Sequence, residues 1–295
     1  MQNPKILLPL DFSEAAPFTI KAAKKMAQLL GGTITPFHAY LPVADIYSPG
    51  AYGIETSSLQ ANDPEQMEEI YTQNLKETIE EKLPPELVAD FLVRVGKPDQ
   101  AITAAAEAFD LIIMGTHGRS GFSRFLMGST SDKVLRTAHT PVLVVNKEQQ
   151  IQHLERIMVT TDFSDNAKAA FPIALQIAEK CGAKIELIHV LNFNASNTNA
   201  PDESVEKQRR QRLQATAKEY FHALGNRVET RLIRSTHSPH EAIINDNLNN
   251  PHDLIVMATV GRTGLKYLMM GGTASRVVQH TKSPVLSVNP KNVAD

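Results

Sequence analysis

The stretch Lys5-Ile6-Leu7-Leu8-Pro9-Leu10-Asp11-Phe12-Ser13 returns 151 residues later as Arg156-Ile157-Met158-Val159-Thr160-Thr161-Asp162-Phe163-Ser164. Each is a short, continuous apolar run that ends in a polar turn, which reads as a strand buried on both faces. The same offset pairs His38 with His189. Farther along the offset falls to 143, pairing Asp110 with Asp253, Gly118 with Gly261, Gly128 with Gly271 and Pro141 with Pro284. From Asp110 to Asn146, 17 of 37 aligned positions are identical, so the chain is one unit written twice. The units run about 1–147 and 152–295, joined near 147–153, and the second lacks 8 residues (151 − 143) from its middle. Two copies make a duplicated domain, since a solenoid needs three or more short repeats.

Within each unit, strands alternate with helices. In the first, residues 5–10 form strand one, Ser13 is placed to cap a helix, and Pro17 falls in its tolerant first turn. Ala16, Ile20, Ala23, Ala27 and Leu30 keep a helical period until Gly31-Gly32 stops it. Strands are then expected at 33–40, 87–95, 111–114 and 141–145, with helices over 67–83, 99–108 and 130–137. Residues 42–64, rich in Pro, Gly, Ser and Asn and carrying Tyr47 and Tyr52, read as a loop, either a lid or a disordered insertion. Continuous apolar strands separated by helices predict an α/β fold with parallel sheets covered on both faces, one sheet per unit. Pro172 lies deeper in its helix than Pro17 does, which predicts a kink.

The composition narrows the function classes. A 295-residue chain that is 42% hydrophobic and 21% charged can bury a sizeable core. A formal charge of −2 gives no electrostatic reason to bind nucleic acid or an anionic membrane. No apolar run approaches the ~20 residues of a membrane span, and the first residues are strand-like and lack a signal-peptide pattern. Cys181, alone, excludes an intramolecular disulfide, fits a reducing cytoplasm and reads as a small apolar residue at a helix end.

The segment that carries chemistry is Met114-Gly115-Thr116-His117-Gly118, nine residues, then Gly128-Ser129-Thr130-Ser131. It leaves the end of strand four and enters a helix, the place where open α/β sheets bind ligands. Gly115 and Gly118 would let a ligand approach the backbone, and Gly128-Ser129-Thr130 would offer amides and hydroxyls at a positive helix end, a phosphate chemistry. Turn glycines capped by Ser129 are the alternative. No Walker loop, no dinucleotide fingerprint after strand one, no nucleophile elbow and no H-E-x-x-H motif occurs.

The spacing G-x2-G-x9-G-S, in a five-strand unit opened by a strand ending in Asp-Phe-Ser, resembles the universal stress protein family in both halves of the chain. The resemblance implies two tandem open parallel five-stranded sheets of order 3-2-1-4-5, adenine nucleotide alpha hydrolase-like. It implies a cytoplasmic adenine-nucleotide-binding stress protein, regulatory more than catalytic, taking ATP (with or without Mg2+), ADP or AMP. A scaffold without ligand and a slow ATPase are the alternatives.

By position the resemblance makes Asp11 the residue that hydrogen-bonds adenine, beside Pro9 and Leu10, with Ala39 and Met114 near the base. Gly115 and Gly118 would lie along ribose and phosphates, and Gly128, Ser129, Thr130 and Ser131 would hold the phosphates. Arg119 would touch phosphate or fix the loop. The second copy offers Asp162, Val190, Met257, Gly261, Gly271, Gly272, Thr273 and Ser275 as a weaker site. There Ala258 replaces Gly115, Gly272 replaces Ser129 and Ala274 replaces Ser131. A Cβ at 258 would press toward the ligand or demand a backbone that only glycine adopts freely.

Family dimers also imply that the fifth strands, 141–145 and 284–288, pair antiparallel within the chain, with two chains associating further as a homodimer. His38 and His189 read as structural histidines, with a metal pair across the units as the alternative. Lys207, Arg209, Arg210 and Arg212, amid glutamates, read as a solvated helix face.

Overall fold

The computed structural model describes residues 3–41, 64–116, 127–147, 149, 151–193, 203–260 and 270–290. The first half runs β1 (Lys5–Pro9), α1 (Ala16–Leu30), β2 (Thr33–Tyr40), α2 (Pro64–Ile79), β3 (Leu92–Val95), α3 (Pro98–Ala106), β4 (Leu111–Gly115), α4 (Ser129–Thr137) and β5 (Val142–Val145). The second runs β6 (Arg156–Thr160), α5 (Asp165–Lys168), α6 (Phe171–Cys181), β7 (Lys184–Asn192), α7 (Glu203–Tyr220), β8 (Val228–Ser235), α8 (Pro239–Asn249), β9 (Leu254–Ala258), α9 (Gly272–His280) and β10 (Val285–Val288).

Side-chain alternation along the apolar strands builds the layers. In β1, Ile6 and Leu8 join one buried cluster with residues of α1, α2, α6 and α7, while Leu7 joins a second with residues of α3, α4, α8 and α9. A strand that is apolar on both faces must be covered on both faces, and helices supply the cover. Leu30 and Cys181 end α1 and α6 before Gly31 and Gly182, which adopt the left-handed conformation (φ 64° and 71°) and return their amides to Ala27 and Ala178. No helix among the described residues is long and apolar enough to cross a membrane.

Each half has the strand order 3-2-1-4-5, all parallel, but the two sheets expected from the sequence are one. The ten strands run β3-β2-β1-β4-β5-β10-β9-β6-β7-β8. β5 and β10 lie antiparallel, with Val285 opposite Val144, Leu286 opposite Leu143 and Ser287 opposite Val142. Since Leu286 is the repeat image of Leu143 (143 + 143), this pair lies on the pseudo-two-fold that relates the halves. An apolar strand left at a sheet edge is a pairing site, and each edge covers the other. Gln149, buried in the linker, donates from Nε2 to the carbonyls of Thr281 (3.1 Å) and Ser283 (2.9 Å), and Lys180 donates to the carbonyl of Leu30 (3.2 Å) across the seam.

Several local expectations change. Ser13 is no cap: its hydroxyl is buried without a partner, and α1 begins at Ala16 with Pro17 in its first turn. Ser164 does cap, accepting from the amide of Ala167, but only for the four-residue α5. Instead of kinking, the helix containing Pro172 breaks between α5 and α6, and the proline sits in the first turn of α6, where its missing N–H costs nothing. The third strand is shorter than expected, because Pro84-Pro85 leads into a single 3-10 turn and Val88 makes only an isolated bridge to Ile34. The loop at 42–64 lies, apart from Pro64, outside the described residues.

Candidate functional site

The site builds up where β1, β2 and β4 end side by side. Past Pro9, the amide of Leu10 still donates to Phe37 of β2 (2.8 Å), so the chain leaves the sheet at Asp11. The Asp11 carboxylate accepts from the amide of Ser13 (3.1 Å), an Asx turn that fixes its direction. Between them Phe12 adopts a left-handed backbone, φ 58°. For a bulky residue this is strained and persists only where its surroundings enforce it. They do: the Phe12 ring lies 4.5 Å from the His38 ring, which lies 4.7 Å from Tyr71 of α2.

His38 is buried, and its Nδ1 lies 2.7 Å from the carbonyl of Leu10. A carbonyl only accepts, so Nδ1 carries a proton. The next residue on β2, the half-buried Ala39, points to the opposite face and packs with the cluster that includes Met114. Asp11, Ala39 and Met114, assigned to the base from the sequence, therefore stand at the ends of three adjacent strands, with Pro9 and Leu10 beneath.

The other end of the candidate site is built by β4 and α4. Gly115 pairs with Val145, and the amide of Thr116 donates to Val145 (3.0 Å). The chain returns at Met127, and the amide of Gly128 donates to the carbonyl of Thr116 (2.6 Å), closing the base of the glycine loop. Gly118 and Arg119 lie outside the described residues. Gly128 caps α4 without a side-chain bond, and the first helical bond runs from Asp132 to Gly128 (3.0 Å). The amides of Ser129, Thr130 and Ser131 thus stand outside the helix ladder at its positive end. Ser129 is exposed and Thr130 half-buried, but Ser131 is buried and donates its hydroxyl to the carbonyl of Gly115 (2.7 Å). Asp132, the carboxylate nearest this turn, is paired with Arg136 (2.8 and 2.9 Å), whose guanidinium is held charged by that hydrogen bond.

The second half repeats the frame and changes the chemistry. Asp162 accepts from the amide and hydroxyl of Ser164 (2.9 and 2.5 Å), Phe163 is again left-handed (φ 65°), and His189 again reaches back, Nδ1 to the carbonyl of Thr161 at 2.8 Å. Arg212 takes part here, its guanidinium 4.7 Å over the Phe163 ring and donating to the Phe163 carbonyl (3.1 Å). The basic run on α7 is therefore more than a solvated face.

Val190 and Met257 occupy the places of Ala39 and Met114, and Gly271 closes onto Thr259 (2.7 Å). α9 opens with Gly272, Thr273, the buried Ala274 and Ser275. Ser275 does not replace the lost hydroxyls, because it stands at the position of Asp132 and accepts from Gln279 (3.2 Å) in its own helix. Gly261 lies outside the described residues. Ala258 pairs with Val288 as Gly115 pairs with Val145, and Gly115 is not at positive φ. The backbone therefore does not demand glycine, and only the extra Cβ separates the two copies there.

The universal stress protein family model matches residues 2–146 and again residues 153–289. The chain belongs to the universal stress protein family. A universal stress protein of Mycolicibacterium smegmatis is 25% identical over 302 residues, covering 97% of each chain. One from Methanocaldococcus jannaschii is 32% identical over 158 residues, spanning 95% of its own length but 49% of this chain, as a single unit would. A solved universal stress protein from Archaeoglobus fulgidus superposes with a TM-score of 0.68 at 22% identity, covering 98% of this chain and 97% of that one. The fold is thus that of a tandem universal stress protein, adenine nucleotide alpha hydrolase-like.

Sequence reading missed the left-handed phenylalanines, the histidine lock and the threonine that closes the glycine loop. The repeated Asp-Phe-Ser and the paired histidines at one offset were the available signal.

Proposed function

We propose that this universal stress protein binds an adenine nucleotide, ATP with or without Mg2+ or its ADP or AMP form, and acts as a regulator more than a catalyst. The carrying observation is the meeting, at the ends of β2, β1 and β4, of a fixed carboxylate, two apolar side chains and a helix N-terminus without a side-chain cap. A carboxylate accepts from the adenine amino group, where guanine would present an acceptor instead. Uncommitted amides at a positive helix end suit phosphate. Asp11 is assigned to the base end, far from the terminal phosphate, so the reading gives it no role in activating water. The proposal places the protein in the cytoplasm, as a homodimer in which the β5–β10 seam makes one chain imitate a two-unit assembly.

Mass spectrometry of nucleotide carried through purification, followed by calorimetry with ATP, tests the reading. Asp11→Ala should weaken ATP binding by about 1–3 kcal/mol, roughly 5- to 150-fold, with the fold intact. Unchanged affinity in that variant would remove Asp11 from the site. Phosphate release at stoichiometric protein would revise the regulatory reading toward hydrolysis.

A further inference from the structure

We infer that His38, and His189 in the second half, are positioning residues that set base selectivity by fixing the backbone around the aspartate. This rests on the nucleotide reading above and goes beyond it, since neither histidine is assigned a ligand contact. The observation is duplicated within one molecule. In each half a histidine on the second strand, 28 residues after the carbonyl it bonds, holds the residue that precedes the aspartate (2.7 Å in one half, 2.8 Å in the other). In each half its ring also lies against the left-handed phenylalanine that follows the aspartate, at 4.5 Å and 4.2 Å. Both histidines are 6% exposed.

The aspartate is thus gripped on both sides through one imidazole. Residue 10 is tied by its carbonyl and residue 12 by its ring, so the backbone of Asp11 has no independent freedom. The strained phenylalanine is what the grip maintains. Residues in this backbone region return to extended or right-handed conformations unless something opposes them, and either change would break the turn in which the Ser13 amide holds the Asp11 carboxylate. From one position His38 supplies both halves of the grip, a ring face for Phe12 and a donor at Nδ1 for Leu10. Outside this frame the halves diverge: Tyr71 lies tilted against His38 in one (4.7 Å between ring centres, 37°), while Arg212 covers Phe163 in the other. The frame itself is kept.

A positioning role predicts a change in selectivity, where a purely structural role predicts only a loss of stability. Asparagine can place its side-chain N–H where Nδ1 stands, whereas glutamine places it where Nε2 stands. In the full chain, His38→Gln should lower ATP affinity at least about tenfold and bring the ATP-to-GTP affinity ratio toward one. His38→Asn should keep that ratio within about threefold of the original. Calorimetry with both nucleotides reads the ratio, and a thermal melt of each variant reads stability separately. A wild-type ratio in a folded His38→Gln protein overturns the proposal, even if its melting temperature falls. If that variant does not fold, the wild-type protein decides: the His38 Nδ1 proton resonance should shift on saturation with ATP, and an unshifted resonance overturns the proposal. Absence of ATP binding by the wild-type chain overturns the nucleotide reading itself and this inference with it. ATP binding with selectivity indifferent to His38 overturns this inference alone.

Discussion

At single positions, what a hydroxyl is bonded to decides what it can do. Ser131 stands in the turn that would hold phosphate, yet its hydroxyl is buried and donates to Gly115. Ser131→Ala should therefore cost about 1 kcal/mol of stability and change ATP affinity less than about threefold. A Ser129→Ala variant, losing an exposed hydroxyl at the same helix end, should show the reverse. Urea melts and calorimetry on the two variants separate these outcomes. Ser287 presents the opposite case. It occupies on β10 the position of Val144 on β5, is 1% exposed, and its hydroxyl has no partner among the described residues. Burying a hydroxyl without a hydrogen bond costs free energy that a methyl group does not. Ser287→Val should raise stability by about 1–2 kcal/mol in a urea melt, and a destabilised variant would mean the seam is too tightly packed for a second methyl.

At the scale of elements, the two halves cover the same sheet with different chemistry. Arg231 of β8 bridges Glu186 of β7 and Asp246 of α8, its Nη2 reaching them at 3.1 and 2.6 Å, and buried His252 donates from Nε2 to Glu186 at 2.7 Å. The matching first-half positions are Thr35, Leu92, Thr103 and Phe109, so an ionic network stands where the sister half carries no charge. Burial alone would raise the Glu186 carboxyl, but the bonds from His252 and Arg231 outweigh it and hold it at about 2, below the ordinary 4.5. A depressed carboxyl contributes stability that is present above 4.5 and is lost as pH falls through about 2. Urea melts of the wild type should therefore weaken across that window, and Glu186→Gln should be less stable at neutral pH and flatter on acidification. Equal acid sensitivity in the variant would assign the loss to other carboxylates. Arg231→Met would leave the half-buried Glu186 and Asp246 without their shared cation and should cost on the order of 2 kcal/mol. None of this network was legible in the sequence, because Glu186, Arg231 and His252 are far apart along the chain and only strand register brings them together. Elements with strong local signals were legible: the apolar period of α1, its glycine stop and the run of β2 fall where the periodicity places them. Ser13 was misread because the Asx turn of Asp11 and the left-handed Phe12, both set by β2, carry the chain past the capping position.

At the scale of the whole molecule, the duplication asks whether the chain carries one nucleotide site or two. The frames are alike, since each half brings a fixed aspartate, a histidine lock and a loop closed on a threonine to the end of its sheet. The ligand-facing chemistry differs at three positions, and the structure weighs them unequally. Ala274 for Ser131 removes a hydroxyl that is committed to Gly115, so it costs a ligand little. Gly272 for Ser129 removes an exposed hydroxyl at the helix end, worth about 1.5–3 kcal/mol if it bonds a charged phosphate. Ala258 for Gly115 adds a Cβ at the end of β9, on the face opposite Met257. Against these, Ser275 and Gln279 replace the Asp132–Arg136 pair, sparing the second site a carboxylate, though Arg136 already neutralises that charge. On the proposed nucleotide reading, the second site should bind ATP roughly 10- to 150-fold more weakly than the first. The weakness should be reversible, because a Cβ built at Gly272 meets nothing within 4 Å among the described residues. In an Asp11→Ala background that weakens the first site, the double variant Ala258→Gly, Gly272→Ser should make the second site bind ATP at least about tenfold more tightly than in the background alone. Calorimetry on the otherwise unaltered chain should pass from one strong site toward two when the same pair is introduced. Two equal sites in the wild-type chain, or no gain from the double variant, would show that backbone amides carry the phosphate and that neither substitution bears on it.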